Sequence, residues 1–120
     1  MTTFINADAV TRTVLANGLA VLIYQNPAAP VVAVNTYVRA GYFDETDDVA
    51  GIAHVLEHMY FKGTAKYGVG EIAKATKAAG GYLNAHTIYD HTSYYAVLPA
   101  SGFDEGLAVQ ADAYANSAIE

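Results

Sequence analysis

The stretch GIAHVLEHMYFKGT, residues 51–64, places His54, Glu57 and His58 within five residues of otherwise apolar sequence. On an α-helix, positions i and i+4 lie one above the other, so His54 and His58 point the same way, one turn apart. Two imidazoles so spaced can share one zinc ion, each bonding at about 2.0–2.1 Å. Glu57 flanks the same face without coinciding with either histidine. A carboxylate there can reach a water beside the metal rather than the metal itself. H-x-x-E-H is the reverse of the H-E-x-x-H order in which two helix histidines bind zinc. The trio alone is equally compatible with two helix histidines that bind nothing and an exposed glutamate. The apolar neighbours favour the metal: they predict partial burial of the trio, and buried polar groups need partners.

A helix must carry these residues, and the surrounding pattern provides one. Ile52, Val55, Leu56 and Met59 fall on one broad face, and Gly63 stands where a C-terminal cap closes a helix. Upstream, residues 11–16 and 19–26 read as strands joined by the hairpin signal Asn17-Gly18. Residues 31–40, VVAVNTYVRA, read as a central strand, and the acidic stretch Asp44, Glu45, Asp47, Asp48 as a solvated loop. Downstream, residues 69–79 read as a second helix stopped by Gly80-Gly81. Residues 82–88 and 92–99 are two strands around the polar turn Tyr89-Asp90-His91. A last helix opens at Ser101 as N-cap, with Leu107, Ala111 and Tyr114 along one face. The predicted class is α+β: a mixed, mostly antiparallel sheet with helices on one face, the opening hairpin and the 82–99 pair sharing that sheet.

Composition narrows the function classes. The chain has 120 residues, 53% hydrophobic and 15% charged, which suits a packed core within at most one domain. A net charge of −6 without any basic patch argues against nucleic acid and against an anionic membrane surface. With no cysteine, disulfides and thiolate metal sites are excluded. The first ten residues lack the basic start of a leader, and no apolar run is long enough to span a bilayer, which favours the cytoplasm. The chain stops at NSAIE on a partly written helix, as if cut rather than finished.

The stretch GIAHVLEHMYFKGT resembles the signature of the pitrilysin, insulysin and mitochondrial-processing-peptidase family of zinc metallopeptidases. LANGLAVLIYQNPAAPVVAVNTYVRAG is similar to that family's opening hairpin and strand, and GGYLNAHTIYDHTSYY to its second signature. Two signatures in order are more specific than one motif. The resemblance implies a zinc metalloendopeptidase in which His54 and His58 bind Zn2+ and Glu57 is the general base. It implies that residues 81–87 receive an extended peptide, with Asn84 and Ala85 nearest the cleaved bond. His86 and His91 match no ligand position; His91 is expected in a solvated turn, and His86 on the strand face opposite residues 85 and 87. The tyrosines are expected in core and cleft.

The third ligand implied is a glutamate roughly 75 residues beyond His58, past the end of this chain; Glu120 comes too early. A second half-domain or partner subunit is implied as well. Residues 1–120 are thus expected to be the N-terminal portion of one metallopeptidase domain, binding zinc weakly and cleaving nothing alone. The competing readings are a non-catalytic scaffold or processing-enhancing subunit, which the intact H-x-x-E-H opposes, and a metal-free α/β interaction domain with His54 and His58 in its core. A zinc enzyme of another substrate class is opposed by the second signature.

Overall fold

The computed structural model describes residues 7–119. Most of the first ten residues, read above against a leader, and Glu120 lie outside them. Strands β1 (Val10–Val14) and β2 (Ala20–Tyr24) form an antiparallel hairpin with Val14 opposite Ala20. The Asn17-Gly18 turn closes it as expected: the Gly18 N–H donates to Leu15 O at 2.9 Å, and the Asn17 side chain accepts the Leu19 N–H at 3.1 Å. Then follow β3 (Val31–Val38), α1 (Ile52–Tyr60), α2 (Glu71–Ala78), β4 (Tyr82–Thr87), β5 (Thr92–Pro99) and α3 (Phe103–Asn116).

The strands form an antiparallel sheet in the order β3-β5-β4, while the hairpin forms a separate two-stranded sheet. Two expectations are therefore corrected. The opening hairpin does not share the sheet, and β5 rather than β3 is its centre. In β5, Thr92, Ser93, Tyr94, Ala96 and Leu98 are all buried, because neighbours flank the strand on both sides. The apolar run of β3 has only one covered face, and every second residue from Val31 to Tyr37 is exposed.

Register sets the faces. Thr36 and Ala85 stand opposite Tyr94, while Val34 and Leu83 stand opposite Ala96. Side chains alternate along a strand, so these share one face, and all three helices pack there. Tyr60, Ile72, Tyr94, Val109 and Ala113 form the main core, with Val38, Leu83 and Ala85 against it; Ala79, Ala96 and Leu98 form a second cluster.

The helices turn differently from the expected faces. Ala53, Glu57 and Tyr60 are the buried residues of α1, while Ile52, Val55 and Leu56 remain exposed. A helix apolar nearly all round does not reveal which stripe packs. In α3, Gly106, Val109, Gln110 and Ala113 face inward, leaving Leu107, Ala111 and Tyr114 outside. A Cβ on Gly106 would stand 2.5 Å from Leu98 Cδ1, so the missing side chain lets α3 lie directly on β5. Ser101 is not the N-cap: a 3-10 turn, Ala100–Gly102, delays the helix and Gly102 takes that place.

Candidate functional site

Both ends of α1 are held by side chains from elsewhere. At the start, Glu45 accepts the Gly51 N–H at 2.6 Å through Oε2 and the Ala53 N–H at 2.9 Å through Oε1. The carboxylate satisfies two of the first-turn donors that a helix leaves open, and its charge opposes the positive end of the helix dipole. Asp44 accepts the Gly41 N–H at 2.9 Å. The acidic stretch is thus not simply solvated: Asp44 closes the 3-10 turn Tyr42–Asp44, and Glu45 shapes the entry to α1.

At the exit, Gly63 takes φ +118°, where a Cβ would also meet Tyr67 O at 2.3 Å, so only glycine fits. Thr64 then donates to the Asp112 carboxylate at 2.7 Å and accepts the Lys66 and Tyr67 N–H groups at 3.0 and 3.2 Å. Asp112 also receives Asn116 Nδ2 at 3.0 Å and Lys66 Nζ at 3.2 Å. These donors, the Thr64 hydroxyl foremost, hold the Asp112 carboxyl below its usual pKa against the opposing effect of burial.

Between these clasps the histidines meet as their spacing predicts. His54 Nε2 and His58 Nε2 lie 3.1 Å apart, with ring centroids at 4.7 Å. Two nitrogens sharing a tetrahedral zinc at about 2.05 Å are separated by about 3.3 Å, so the pair already presents close to the required bite. Both rings are exposed, contrary to the expected partial burial. They sit on the outer side of a helix whose inner side is taken by Ala53, Glu57 and Tyr60. Among the described residues no third His, Cys, Asp or Glu joins them in a metal-binding group.

Glu57 is the buried member, 8% exposed. Its Oε2 accepts the Thr87 hydroxyl at 2.6 Å, and among the described residues its Oε1 accepts no hydrogen bond. Thr87 stands opposite Thr92 in the β4–β5 register, with the two hydroxyl oxygens 3.3 Å apart, and Thr92 donates to Ala40 O at 2.9 Å. Tyr94 lies nearby; burial first, then the charges of Glu57 and Tyr114, raises its phenol above the ordinary value. Burial likewise raises the Tyr60 phenol, with Tyr94 adding to it.

Strand β4 is the sheet's edge, beside α1. Asn84 and Ala85 lie on it but on opposite faces: Ala85 packs against the core, while Asn84 is exposed. The Asn84 Oδ1 accepts the neighbouring Ala85 N–H at 2.9 Å. His86 projects to the open face, opposite Ala85 and Thr87, as expected. His91 is less solvated than expected. Its ring lies 5.0 Å from Tyr37 and 5.8 Å from His86, and its Nδ1 lies 2.8 Å from Asp90. Of the tyrosines, Tyr60 and Tyr94 are buried, but Tyr37, Tyr82, Tyr89 and Tyr114 are among the exposed large side chains, outside the expected core.

Sequence reading missed Glu45, Thr64, Thr87, Thr92 and Asp112. An acid ahead of a helix start was a usable signal for Glu45. Strand alternation was the signal for Thr87, which must share its face with Ala85.

With this geometry in view, the comparisons define the class. The family model of insulinase (peptidase family M16) matches residues 20–120. The chain belongs to that family. It is 38% identical over 116 residues to a probable mitochondrial-processing peptidase subunit beta of Arabidopsis thaliana, covering 97% of this chain and 22% of that protein. It is 40% identical over 103 residues to an uncharacterized zinc protease of Rickettsia felis, covering 86% of this chain and 25% of that one. A solved protease from Helicobacter pylori superposes with a TM-score of 0.88 at 30% identity, over 92% of this chain and 27% of the other. The chain thus spans about a quarter of the length of the curated relatives it matches. No helix among the described residues is long and apolar enough to cross a membrane.

Proposed function

We propose that these residues are the N-terminal portion of a metallopeptidase domain, and that the whole protein is a zinc-dependent endopeptidase acting on extended peptides or unfolded segments. The observation that carries this reading is the His54–His58 pair, whose Nε2 atoms converge to 3.1 Å one residue from a buried, hydrogen-bonded Glu57. Two imidazoles of that bite fit zinc and supply two ligands of three. The third comes from sequence beyond residue 120.

When bound, zinc supplies Lewis-acid polarisation of the scissile carbonyl and acidifies a water. His54 and His58 hold the ion. Glu57 takes the proton of the attacking water on Oε1, the oxygen that Thr87 does not hold, and passes it to the leaving amine. The edge of β4 pairs with the peptide main chain, with Asn84 and Ala85 beside the cleaved bond; backbone pairing of this kind accepts many sequences. Since Asn84 Oδ1 occupies the Ala85 N–H, that side chain must swing away if the donor is to pair with substrate. A second half-domain or partner subunit completes the site. The exposure of both histidines disfavours the metal-free reading, which needs them in the core.

The test uses the longer natural protein, with any partner it requires, and an internally quenched unfolded peptide. Hydrolysis should stop on chelation and return with stoichiometric zinc. The 120-residue chain alone should bind zinc weakly and cleave nothing. Hydrolysis by the longer protein that persists after complete metal removal would falsify the proposal.

A further inference from the structure

Glu57 needs more than burial to act as a base, because a carboxylate on a flexible side chain can present either oxygen in many directions. Its position is set by a run of hydroxyls that crosses the whole sheet. Ala40 O, just past β3, accepts the Thr92 hydroxyl of β5 at 2.9 Å. Thr92 Oγ1 lies 3.3 Å from Thr87 Oγ1 of β4, and Thr87 donates to Glu57 Oε2 of α1 at 2.6 Å.

Proton counting decides the direction. Each threonine hydroxyl has one hydrogen. Thr92 directs its own at Ala40 O, so it has none for Thr87. Thr87 has two oxygens within reach, and the 2.6 Å contact to Glu57 is short and charge-assisted, whereas 3.3 Å to Thr92 is longer than an ordinary hydroxyl bond. The Thr87 hydrogen therefore belongs to Glu57 Oε2. Among the described residues this is the one hydrogen bond the Glu57 carboxylate accepts, so it anchors Oε2 rather than Oε1.

We infer that Thr87 is a positioning residue for Glu57: it ties down Oε2, leaves Oε1 to take the proton, and is itself backed by Thr92 through the sheet register. The inference rests on the proposed role of Glu57 as base. The two threonines stand directly opposite each other, and strand alternation turns both toward the helices, so the arrangement follows from the pairing of β4 with β5.

The experiment compares Thr87→Val, Thr87→Ser, Thr92→Val and Glu57→Gln in the longer natural protein loaded with zinc. Thr87→Val is close in shape but has no hydroxyl. It should lower kcat on the order of tenfold to a hundredfold, the scale of a misplaced catalytic group, with KM and zinc content unchanged. Thr87→Ser should restore most of kcat. Thr92→Val should cost less than Thr87→Val. In the metal-free protein, the carbon NMR resonance of the Glu57 carboxyl should move in Thr87→Val and return in Thr87→Ser. Wild-type kcat in Thr87→Val, with Glu57→Gln inactive, overturns the inference and leaves the proposed function standing. Equal losses in Thr87→Val and Thr87→Ser, accompanied by lost zinc or lowered melting temperature, show a structural role only and also overturn it. Full activity in Glu57→Gln sinks the proposed function, and the inference falls with it.

Discussion

On the inner side of α1, Glu57 is 8% exposed and bonded to Thr87, while on the outer side His54 and His58 are exposed and their ring nitrogens face each other. In the proposed function the two sides do different jobs, and the difference shows what a site must prepare in advance. Metal ligands can be aligned by the ion itself, since each bond to zinc fixes a ring that was loosely held. A general base has no such helper. Its oxygen must already stand in place, and protein donors must hold it there. In the proposed reading the base already has its hydrogen-bond donor within the described residues, whereas no third ligand joins the two histidines there.

The largest effect should come from separating the two sides by mutation. Glu57→Gln in the longer protein should reduce peptide hydrolysis on the order of 10²–10⁴-fold while zinc content stays stoichiometric. His54→Ala should lose zinc and activity together. Zinc analysis beside a peptide assay reads both. Loss of zinc in Glu57→Gln would break the comparison, since the glutamate would then belong with the ligands.

The next effect acts on both sides at once, because both depend on where α1 begins. Glu45→Ala removes the acceptor for the Gly51 and Ala53 N–H groups. A lost helix cap costs about 0.5–2 kcal/mol. Urea denaturation should show that loss, and zinc affinity should fall with it, as His54 follows Ala53 directly. An unchanged stability would mean that the loop supporting Glu45 contributes nothing to the site.

How much of this was legible depended on the range of the interaction. His54, Glu57 and His58 could be read because helix geometry relates residues three and four apart. The strands, the Asn17-Gly18 turn and the Gly80 stop were likewise local: the Gly81 N–H reaches Thr76 O at 3.0 Å and the Gly80 N–H reaches Lys77 O at 2.9 Å, as a glycine-ended helix requires. Apart from the Ser101 cap and the Glu45 clasp, which are local, the failures were long-range. Which stripe of α1 or α3 packs inward depends on Gly106 meeting Leu98 and on Tyr60 meeting Tyr94, contacts invisible to periodicity. The centre of the sheet was misplaced for the same reason, since apolar content alone does not say how many neighbours a strand has. Thr64 and Asp112 lie 48 residues apart, and Glu57 and Thr87 lie 30 apart.

The smallest effect concerns the exit clasp, and there pH is the lever. Asp112 is held ionised by Thr64 first, and by Asn116 and Lys66 after it, so its folded pKa lies below the ordinary 3.8. A depressed carboxyl pKa contributes stability that is fully present above the unfolded value and is lost as pH falls through the folded one. The contribution should therefore be constant at neutral pH and decline only below about pH 4. Asp112→Asn cannot titrate. Its stability should be lower than wild type at neutral pH, and the gap should narrow as the solution is acidified below that point. Melting temperatures of both forms at several pH values test this. A gap that stays constant down to low pH would show that the Thr64 contact, not the charge, holds the helix exit. Charge would then act on α1 at its entry, through the Glu45 carboxylate, and not at its exit.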